Sequence, residues 1–389
     1  MSIIKRLFVR LTPLTIRLAA KHKGSFQQKL MYYKFAKLAA SKGVVKFRVK
    51  RLASEYTEAY YGLKQISEED KLWAISKGLN PVKYLWYGMT KENASQYLSD
   101  FDFYKPSTYV ENTYLEFFEN KLNTWLLLAP FKKYMPKHYW YIEDGSKKIM
   151  PLDVDNKCNG SIEDLIKLID TAPIAAKACR GGHGVGFYLL EKTAAGYAAN
   201  RKNLSKEEMM GLLKSLKGYI FTEYSYPAQS IQEKIGKDAF AVMRLVTYYD
   251  QEDGTQIFGA MTRLGCKEAG VVTDYHGTIY CGIDMETGKT FKPIYRASDI
   301  DFKPIRNHPD TNVDLEGGIT IPRWGELKEL VQTISRYLPF TPYLVMDIIP
   351  TDDGFAILEI NSHGQIRNME AHFPGLKNKY IRKHFQVKD

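Results

Sequence analysis

The sequence predicts an α+β fold built from several subdomains, and three observations lead to this prediction. After residue 130, stretches with helical periodicity alternate with strand-forming blocks, as in subdomains that surround a cleft. Two predicted hairpins carry polar residues: a glycine-rich one over 175–192 and an acidic one over 342–362. Basic residues gather in a separate N-terminal segment, which we expect to be helical.

That N-terminal segment accounts for the chain's net charge of +11, because residues 1–54 contain 14 Lys and Arg and no Asp or Glu. Leu7, Phe8 and Leu11 are among apolar residues at helical spacing, a pattern typical of a basic amphipathic helix on a membrane surface. We therefore expect residues 1–50 to contact an anionic membrane. Two alternatives stay open: helices packed on the body of the protein, and a cleaved transit peptide. No basic–aromatic surface continues into the body, so nucleic acid is not expected as a partner.

The remaining composition is that of a globular protein, with 44% hydrophobic and 25% charged residues. No apolar run reaches the roughly 18 residues that predict a transmembrane helix. The four cysteines form no C-x-x-C pair, which favours a reducing compartment. We expect a cytoplasmic protein, held peripherally at the inner face of the membrane by its basic segment.

The elements follow in chain order. Residues 55–130 are predicted to be mainly helical, and "HYWYIEDGSKKIMPL" predicts two strands joined by an Asp-Gly turn. Ser161 precedes an amphipathic helix as its N-cap, and a helix over 205–216 leads to the strand "GYIFTEYSY". Residues 239–282 read as successive strands. The helix "RWGELKELVQTISRYL" and the strands "PYLVMDIIP" and "FAILEINS" complete the order.

The stretch "AAKACRGGHGVGFYLLEK" predicts a glycine-rich hairpin that binds phosphate. It lacks the Lys-Ser or Lys-Thr that closes a Walker loop, its spacing is not G-x-G-x-x-G, and a strand follows where either motif would open a helix. Glycine lets backbone N–H groups approach phosphate oxygens closely. Lys177, at the end of the first strand, would reach the same phosphates. The alternative is a plain mobile turn.

The stretch "YLVMDIIPTDDGFAILEINS" predicts a hairpin with two facing carboxylates. Folding about position 353 places Asp347 opposite Glu359, and Asn361 lies on the same face as Glu359. Two buried carboxylates would repel each other, and a divalent cation with oxygen ligands would relieve that repulsion. We therefore expect a Mg²⁺ site. The alternative is that these groups lie at a solvated rim.

Two arginines lie inside apolar strands, where an unpaired cation is unfavourable: Arg244 in "AVMRLVT" and Arg263 in "AMTRLG". Each would either pair with a buried carboxylate or face an anionic ligand. The eight histidines show no metal-ligand spacing, and no nucleophile–base triad is evident.

Together these motifs resemble the ATP-grasp superfamily, and more closely its branch associated with sugar transfer and surface-polysaccharide gene clusters. The resemblance covers about residues 80–365 and implies an ATP-grasp fold with a basic helical N-terminal extension. It divides the chain into 1–80, 81–160, 161–225 (the lid with the flap) and 226–389. The matching motifs are "ENKLNTW", "KACRGGHGVGF", "FTEYSYP", "AVMRLVT", "MTRLG", "VVTDYHG", "GIDMETG", "HPDTNVD", "IPRWGELKEL" and "VMDIIPTDDGFAILEINSHG".

The resemblance also implies roles for single residues. Lys121 and Lys177 would hold the ATP phosphates, and Glu233 would bind the ribose hydroxyls. Glu223 and Tyr224 would form the hinge beside adenine. The flap would consist of Gly181, Gly182, Gly184 and Gly186.

For the chemistry, the resemblance implies that Asp347, Glu359 and Asn361 bind two Mg²⁺ ions. Arg244 would meet the γ-phosphate and the transferred acyl group. The acceptor pocket would be lined by Arg263, Asp274 and His276, and the residues expected to act in catalysis are Arg244, Lys177 and Arg263.

The implied activity is an ATP-dependent carboxylate–amine ligase that acts through an acyl phosphate. Its expected substrates are a carboxylated sugar, such as a uronic acid of a surface polysaccharide, and an amine or amino acid. Two alternatives stay open: a kinase that phosphorylates a sugar hydroxyl on the same scaffold, and a non-catalytic nucleotide-binding adaptor at the membrane.

Overall fold

The computed structural model describes residues 24–105, 114–146, 148–152, 160–181, 186–269 and 276–387. The chain divides into two compact units: Met1–Asn112 together with Pro374–Asp389, and Thr113–Phe373. The division expected from the sequence, with boundaries after residues 80, 160 and 225, stays a prediction. Within the described ranges, no helix combines the length and apolar character needed to cross a membrane.

The first unit is helical. α1 begins after the N-cap Ser25, whose side chain and that of Gln28 form a reciprocal capping box. Tyr56 lies at the centre of the unit, fully buried, and its hydroxyl donates to Asp100 Oδ2 at 3.1 Å. The helices are α1 (Phe26–Ser41), α2 (Lys46–Gly62), α3 (Glu68–Ser76), α4 (Lys83–Trp86), α5 (Asp100–Phe103) and a C-terminal helix, Lys379–His384, with short 3₁₀ turns at Ala94–Gln96 and Gly375–Lys377.

The described part of the basic segment, residues 24–54, therefore belongs to packed helices. Phe35 and Ala39 of α1 and Leu52 and Ala53 of α2 are buried in the interior of the unit. These four side chains show that the two helices pack within the first unit. Residues 1–23, including Leu7, Phe8 and Leu11, lie outside the described residues, so the membrane prediction for them stays a prediction.

The second unit begins with α6 (Leu115–Glu119), α7 (Lys121–Leu127) and a 3₁₀ helix, Ala129–Tyr134. Its first sheet is antiparallel, with the strand order β2-β1-β7-β3-β4-β5-β6. α8 (Ile162–Thr171) and α9 (Lys206–Ser215) cover one face of it with Leu165, Ile169 and Leu213. The strands are β1 (His138–Ile142), β2 (Ile149–Pro151), β3 (Ile174–Ala178), β4 (Phe187–Thr193), β5 (Gly196–Ala199), β6 (Lys202–Leu204) and β7 (Tyr219–Glu223).

The second sheet of this unit is also antiparallel, with the strand order β12-β11-β10-β9-β8-β13-β14. α11 packs against it through Leu327, Val331 and Ile334, and α10 adds Ile231 and Ile235 to the same core. The elements are α10 (Gln229–Ile235), β8 (Ala241–Asp250), β9 (Gly254–Gly265), a 3₁₀ turn at Lys267–Ala269, β10 (Thr278–Ile283), β11 (Thr290–Arg296), β12 (Phe302–Pro304), α11 (Trp324–Tyr337), β13 (Tyr343–Thr351), β14 (Gly354–Asn361) and α12 (Arg367–Glu370).

Most local predictions are confirmed. β1 and β2 form the expected hairpin, and Ser161 caps α8 with Asp164 as its capping-box partner. β3 and β4 pair across the glycine-rich stretch, and β13 pairs with β14. The α+β class follows from these two sheets and their helices.

Candidate functional site

The β13–β14 hairpin brings two carboxylates face to face. Thr351 pairs with Gly354, so the turn itself consists of the two residues Asp352 and Asp353. A register shift between Asp347 and Ile348 then places Asp347 opposite Glu359, as predicted.

Asp347 is buried and is held by two arginines. Arg244 donates from Nε to Oδ1 and from Nη2 to Oδ2, both at 2.8 Å, and Nη2 of Arg263 lies 2.8 Å from Oδ2. The side chains of Arg263 and Asp347 are only 2% and 10% exposed. Burial alone would raise the pKa of Asp347, but the guanidinium groups of Arg244 and Arg263 outweigh it, and the pKa is lowered. Of the two alternatives for these arginines, the structure therefore shows pairing with a buried carboxylate.

Glu359 lies at the more open end of the same strand pair. Its Oε2 lies 3.5 Å from the Lys121 ammonium, and its Oε1 accepts a hydrogen bond of 2.9 Å from Asn361 Nδ2. Glu359 is partly exposed, whereas Asp347 is buried, so the solvated-rim alternative does not hold for Asp347. Arg244, Arg263 and Lys121 already compensate the two carboxylates. The repulsion argument for a cation is therefore not needed for the folded state.

The donor set nevertheless fits Mg²⁺ in part. Glu359 and Asn361 offer carboxylate and amide oxygens, the ligand type that Mg²⁺ prefers, from one end of β14. Asp347 fits less well, because the two arginines already donate to both of its oxygens. Among the described residues, no group of three or more His, Cys, Asp or Glu side chains is arranged to hold a metal ion. Phosphate oxygens of a nucleotide would have to complete the coordination.

The glycine-rich hairpin places Lys177 beside this site. Lys177 pairs with Phe187 of β4 and with Ile220 of β7 in the middle of the first sheet. Burial and, to a smaller extent, the Lys121 ammonium lower the pKa of Lys177, Glu359 acts in the opposite direction, and together they leave this pKa at about 8. Lys177 therefore lies within electrostatic reach of both, and at neutral pH most of it is protonated.

Lys121 connects the glycine-rich hairpin to Glu359. Its backbone N–H donates to Cys179 O at 3.0 Å, and its ammonium donates to Gly181 O at 2.9 Å. Gly186, at the other end of the flap, has a φ of +75°, and a Cβ there would lie 2.7 Å from the Tyr219 hydroxyl. Gly182 and Gly184 lie outside the described residues.

The predicted hinge residues lie at the end of β7: Glu223 is its last residue and Tyr224 follows it. The backbone N–H of Glu223 donates to Lys137 O at 2.8 Å, and Tyr224 N–H donates to Pro173 O at 3.3 Å. Burial raises the pKa of Tyr224 to about 12, with Tyr226 adding to the shift. Glu233 lies on α10 and accepts from Gln229 Nε2 at 2.8 Å, one turn earlier in the helix. The adenine and ribose roles of these residues stay predictions.

The predicted acceptor residues are only partly described. Asp274 lies outside the described residues, and His276 is exposed in the turn before β10. Arg263 lies opposite Tyr280 of β10, whose buried hydroxyl accepts from Arg296 Nη1 at 3.2 Å. Polar side chains thus continue across this sheet from Asp347 to Arg296, a residue that the sequence did not single out.

His138 and Trp125 are further residues that sequence reasoning missed. Their rings stack with centroids 5.5 Å apart, and the Lys132 ammonium lies 4.7 Å from the centroid of the Trp125 ring. Burial lowers the pKa of His138 to about 3, and Lys177 contributes to the shift, so this imidazole is neutral at physiological pH. A signal was present for Trp125, which lies four residues after Lys121 and therefore on the same side of α7. No such spacing pointed to His138.

A hairpin with a lysine and glycines, a second hairpin with facing acids and two antiparallel sheets are the features of an ATP-grasp protein. The family model described as sugar-transfer associated ATP-grasp matches residues 102–382, and the chain belongs to this family. The resemblance drawn from the sequence is thereby confirmed. No curated protein matches the chain.

Several solved structures are distantly similar. An L-amino acid ligase from Bacillus licheniformis is 10% identical with a TM-score of 0.35, and the match covers 70% of this chain and 47% of that one. An N5-carboxyaminoimidazole synthetase from Staphylococcus aureus complexed with ADP is 12% identical with a TM-score of 0.35, covering 64% and 46%. A biotin carboxylase from Campylobacter jejuni is 10% identical with a TM-score of 0.36, covering 70% and 46%. The chain thus spans less than half the length of these proteins.

Proposed function

We propose that this protein is an ATP-dependent, ADP-forming ligase that joins a carboxylate to an amine through an acyl phosphate. The observation that carries the proposal is the convergence of Lys121, Lys177 and Glu359 beside the paired Arg244 and Asp347. These groups supply cations for a triphosphate, oxygen ligands for a metal and an arginine for a developing oxyanion.

The nucleotide would bind with its phosphates against the two lysines and under the glycine flap. Lys177 would become fully protonated there, because phosphate charge offsets the effect of burial on its ammonium. Mg²⁺ held by Glu359 and Asn361 would neutralise phosphate charge and help to orient the γ-phosphoryl group. Asp347 stays a proposed third ligand. In the structure it holds Arg244 in a fixed orientation through two hydrogen bonds.

The proposed reaction has two steps. An oxygen of the substrate carboxylate attacks the γ-phosphorus, which forms the acyl phosphate and releases ADP. The amine then attacks the acyl carbon, inorganic phosphate leaves, and the nitrogen loses a proton to give the amide. Arg244 would stabilise the negative charge on the carbonyl oxygen, and the flap would exclude water that would otherwise hydrolyse the acyl phosphate.

The proposed carboxylate is a uronic acid or a related carboxylated sugar of a surface polysaccharide, and the proposed amine is an amino acid or a simple amine. Support for this finer assignment comes from the sugar-transfer association in the family description. The buried arginines suit an anionic substrate but do not distinguish one carboxylate from another.

Hydroxylamine trapping tests the proposal. The protein is incubated with MgATP, hydroxylamine and each member of a panel of uronic acids, without an amine. We expect ADP and a sugar hydroxamate in equal amounts with at least one acid, and neither product with Glu359→Gln. A phosphorylated sugar without hydroxamate would overturn the ligase in favour of the kinase. Binding of ATP without turnover of any acid in the panel would favour the adaptor.

A further inference from the structure

The turn between α1 and α2 presents an aromatic side chain among lysines. Phe47, in the first turn of α2, is 58% exposed. Lys42, Lys46 and Lys50 are exposed around it. We call Lys42, Lys46, Phe47 and Lys50 the hairpin tip. A single exposed apolar residue is ordinary, but its position among three exposed lysines favours a binding partner of opposite charge.

The hairpin tip is held in place by the packing beneath it. Val44 and Val45 are buried directly before the exposed residues, and Val45 N–H donates to Tyr104 O at 3.0 Å. Leu52, just over one turn after Phe47, is fully buried. The phenyl ring is therefore presented by a packed helix, and a partner can bind it without ordering a loop first.

The segment that carries the hairpin tip has basic residues and no acidic ones. Residues 24–54 carry eight Lys and Arg and no Asp or Glu. The first carboxylate after them, Glu55, pairs with Arg51 at 2.9 Å, and among the described residues the three lysines of the hairpin tip form no ion pair. Along α1, Phe26 and Leu30 are exposed at a spacing of four residues. Lys34 continues on the same side of the helix and is also exposed.

We propose that the hairpin tip binds the surface of an anionic lipid bilayer, with Phe47 inserted among the headgroups and the three lysines against their phosphates. Lysines next to an anionic membrane each contribute to binding, and a shallow aromatic residue adds apolar contact. RNA fits less well. The Arg48 guanidinium lies 5.5 Å from the Phe47 ring centroid, where it competes for the ring face that a base would stack on, and Phe26 and Leu30 would gain nothing from a phosphate backbone.

This inference is independent of the ligase proposal, and its test needs no substrate. The full chain is mixed with vesicles of about three parts phosphatidylcholine to one part phosphatidylglycerol, and bound protein is measured by sedimentation. We expect binding at about 0.1 M salt that falls several-fold at about 0.5 M, and little binding to pure phosphatidylcholine. Changing Lys42, Lys46 and Lys50 together to Gln should weaken partitioning about 100-fold, since each charge contributes roughly five-fold. Phe47→Ser should weaken it about ten-fold.

Matched variants in the second unit serve as controls. Lys202, Lys206 and Lys217, all exposed, are changed together to Gln, and the exposed Phe340 is changed to Ser. Both controls should bind vesicles like the unchanged protein. Circular dichroism checks that every variant folds.

Three results would overturn the proposal. One is a full chain that does not bind the anionic vesicles. Another is a set of hairpin-tip variants that bind the anionic vesicles as well as the unchanged protein does. The contact would then lie elsewhere, for example in residues 1–23. The third is loss of binding to an RNA of about 20 nucleotides in the hairpin-tip variants while vesicle binding stays unchanged.

Discussion

Replacing Asp347 by Asn removes the one negative charge between two buried arginines. In the structure this carboxylate accepts two hydrogen bonds from Arg244 and one from Arg263, all at 2.8 Å. The amide has the same shape, but it carries no charge to pair with the two guanidinium groups that contact it. Breaking a buried ion pair from one side costs about 3 to 5 kcal/mol. We therefore expect Asp347→Asn to lower the free energy of unfolding by about 4 kcal/mol.

Urea denaturation of both proteins at neutral and acidic pH measures this loss. A carboxyl group whose pKa is lowered by folding stabilises above its unfolded pKa of about 3.9, and that stabilisation fades as pH falls toward the folded value. The difference in the free energy of unfolding between the unchanged protein and Asp347→Asn should therefore become smaller below about pH 4. Asp301→Asn is the control, because its ion pair with Lys303 is exposed and worth at most about 1 kcal/mol. If Asp347→Asn lowers the free energy of unfolding by as little as the control does, the contacts of Asp347 with the two arginines do not stabilise the fold as proposed.

Three further predictions concern the nucleotide site. Glu359→Gln should lower ATP turnover at least about 100-fold and change the free energy of unfolding by less than about 1 kcal/mol, because the partly exposed carboxylate would bind the metal and contributes little to packing. Turnover is measured by ADP release, and Glu326→Gln on α11 is the control. ATP affinity, measured by calorimetry, should be flat below pH 8 and fall up to about ten-fold per pH unit above it as Lys177 loses its proton, and Lys177→Arg should abolish that fall. Gly186→Ala should cost at least about 1 kcal/mol in thermal unfolding, because of its positive φ and the Tyr219 hydroxyl, whereas Gly211→Ala in α9, with open space around it, should stabilise.

The sequence predicted the parts of the site that depend on local pattern. The "TDDG" tetrapeptide marks the turn, and the assumption of a fold about position 353 predicted correctly that Asp347 faces Glu359. The structure reaches that register by a two-residue turn and a bulge, and neither feature could be read from the spacing. Likewise, the glycine-rich hairpin was predicted because its strands border the glycines directly, and Lys177 ends the first of them.

What could not be predicted depends on contacts between distant segments. Arg244 and Asp347 are 103 residues apart, and they meet because β8 pairs with β13. Until the pairing of strands is known, an arginine in an apolar strand has several equally reasonable partners. The low pKa of His138 has the same origin, since it depends on burial and on Lys177 in another strand of the sheet. The N-terminal helices matched no known motif, so their packing also emerged only from the structure.

Calorimetric titration with MgADP tests the central claim, that Lys177 and its neighbours form a nucleotide site. The unchanged protein should bind MgADP, and Lys177→Ala should weaken that binding by about 30-fold, the contribution of a charged hydrogen bond of about 2 kcal/mol. Lys192→Ala, on the exposed end of the same hairpin, should bind like the unchanged protein. If Lys177→Ala stays folded and binds MgADP as tightly as the unchanged protein, the nucleotide does not bind against Lys177 and the account is wrong.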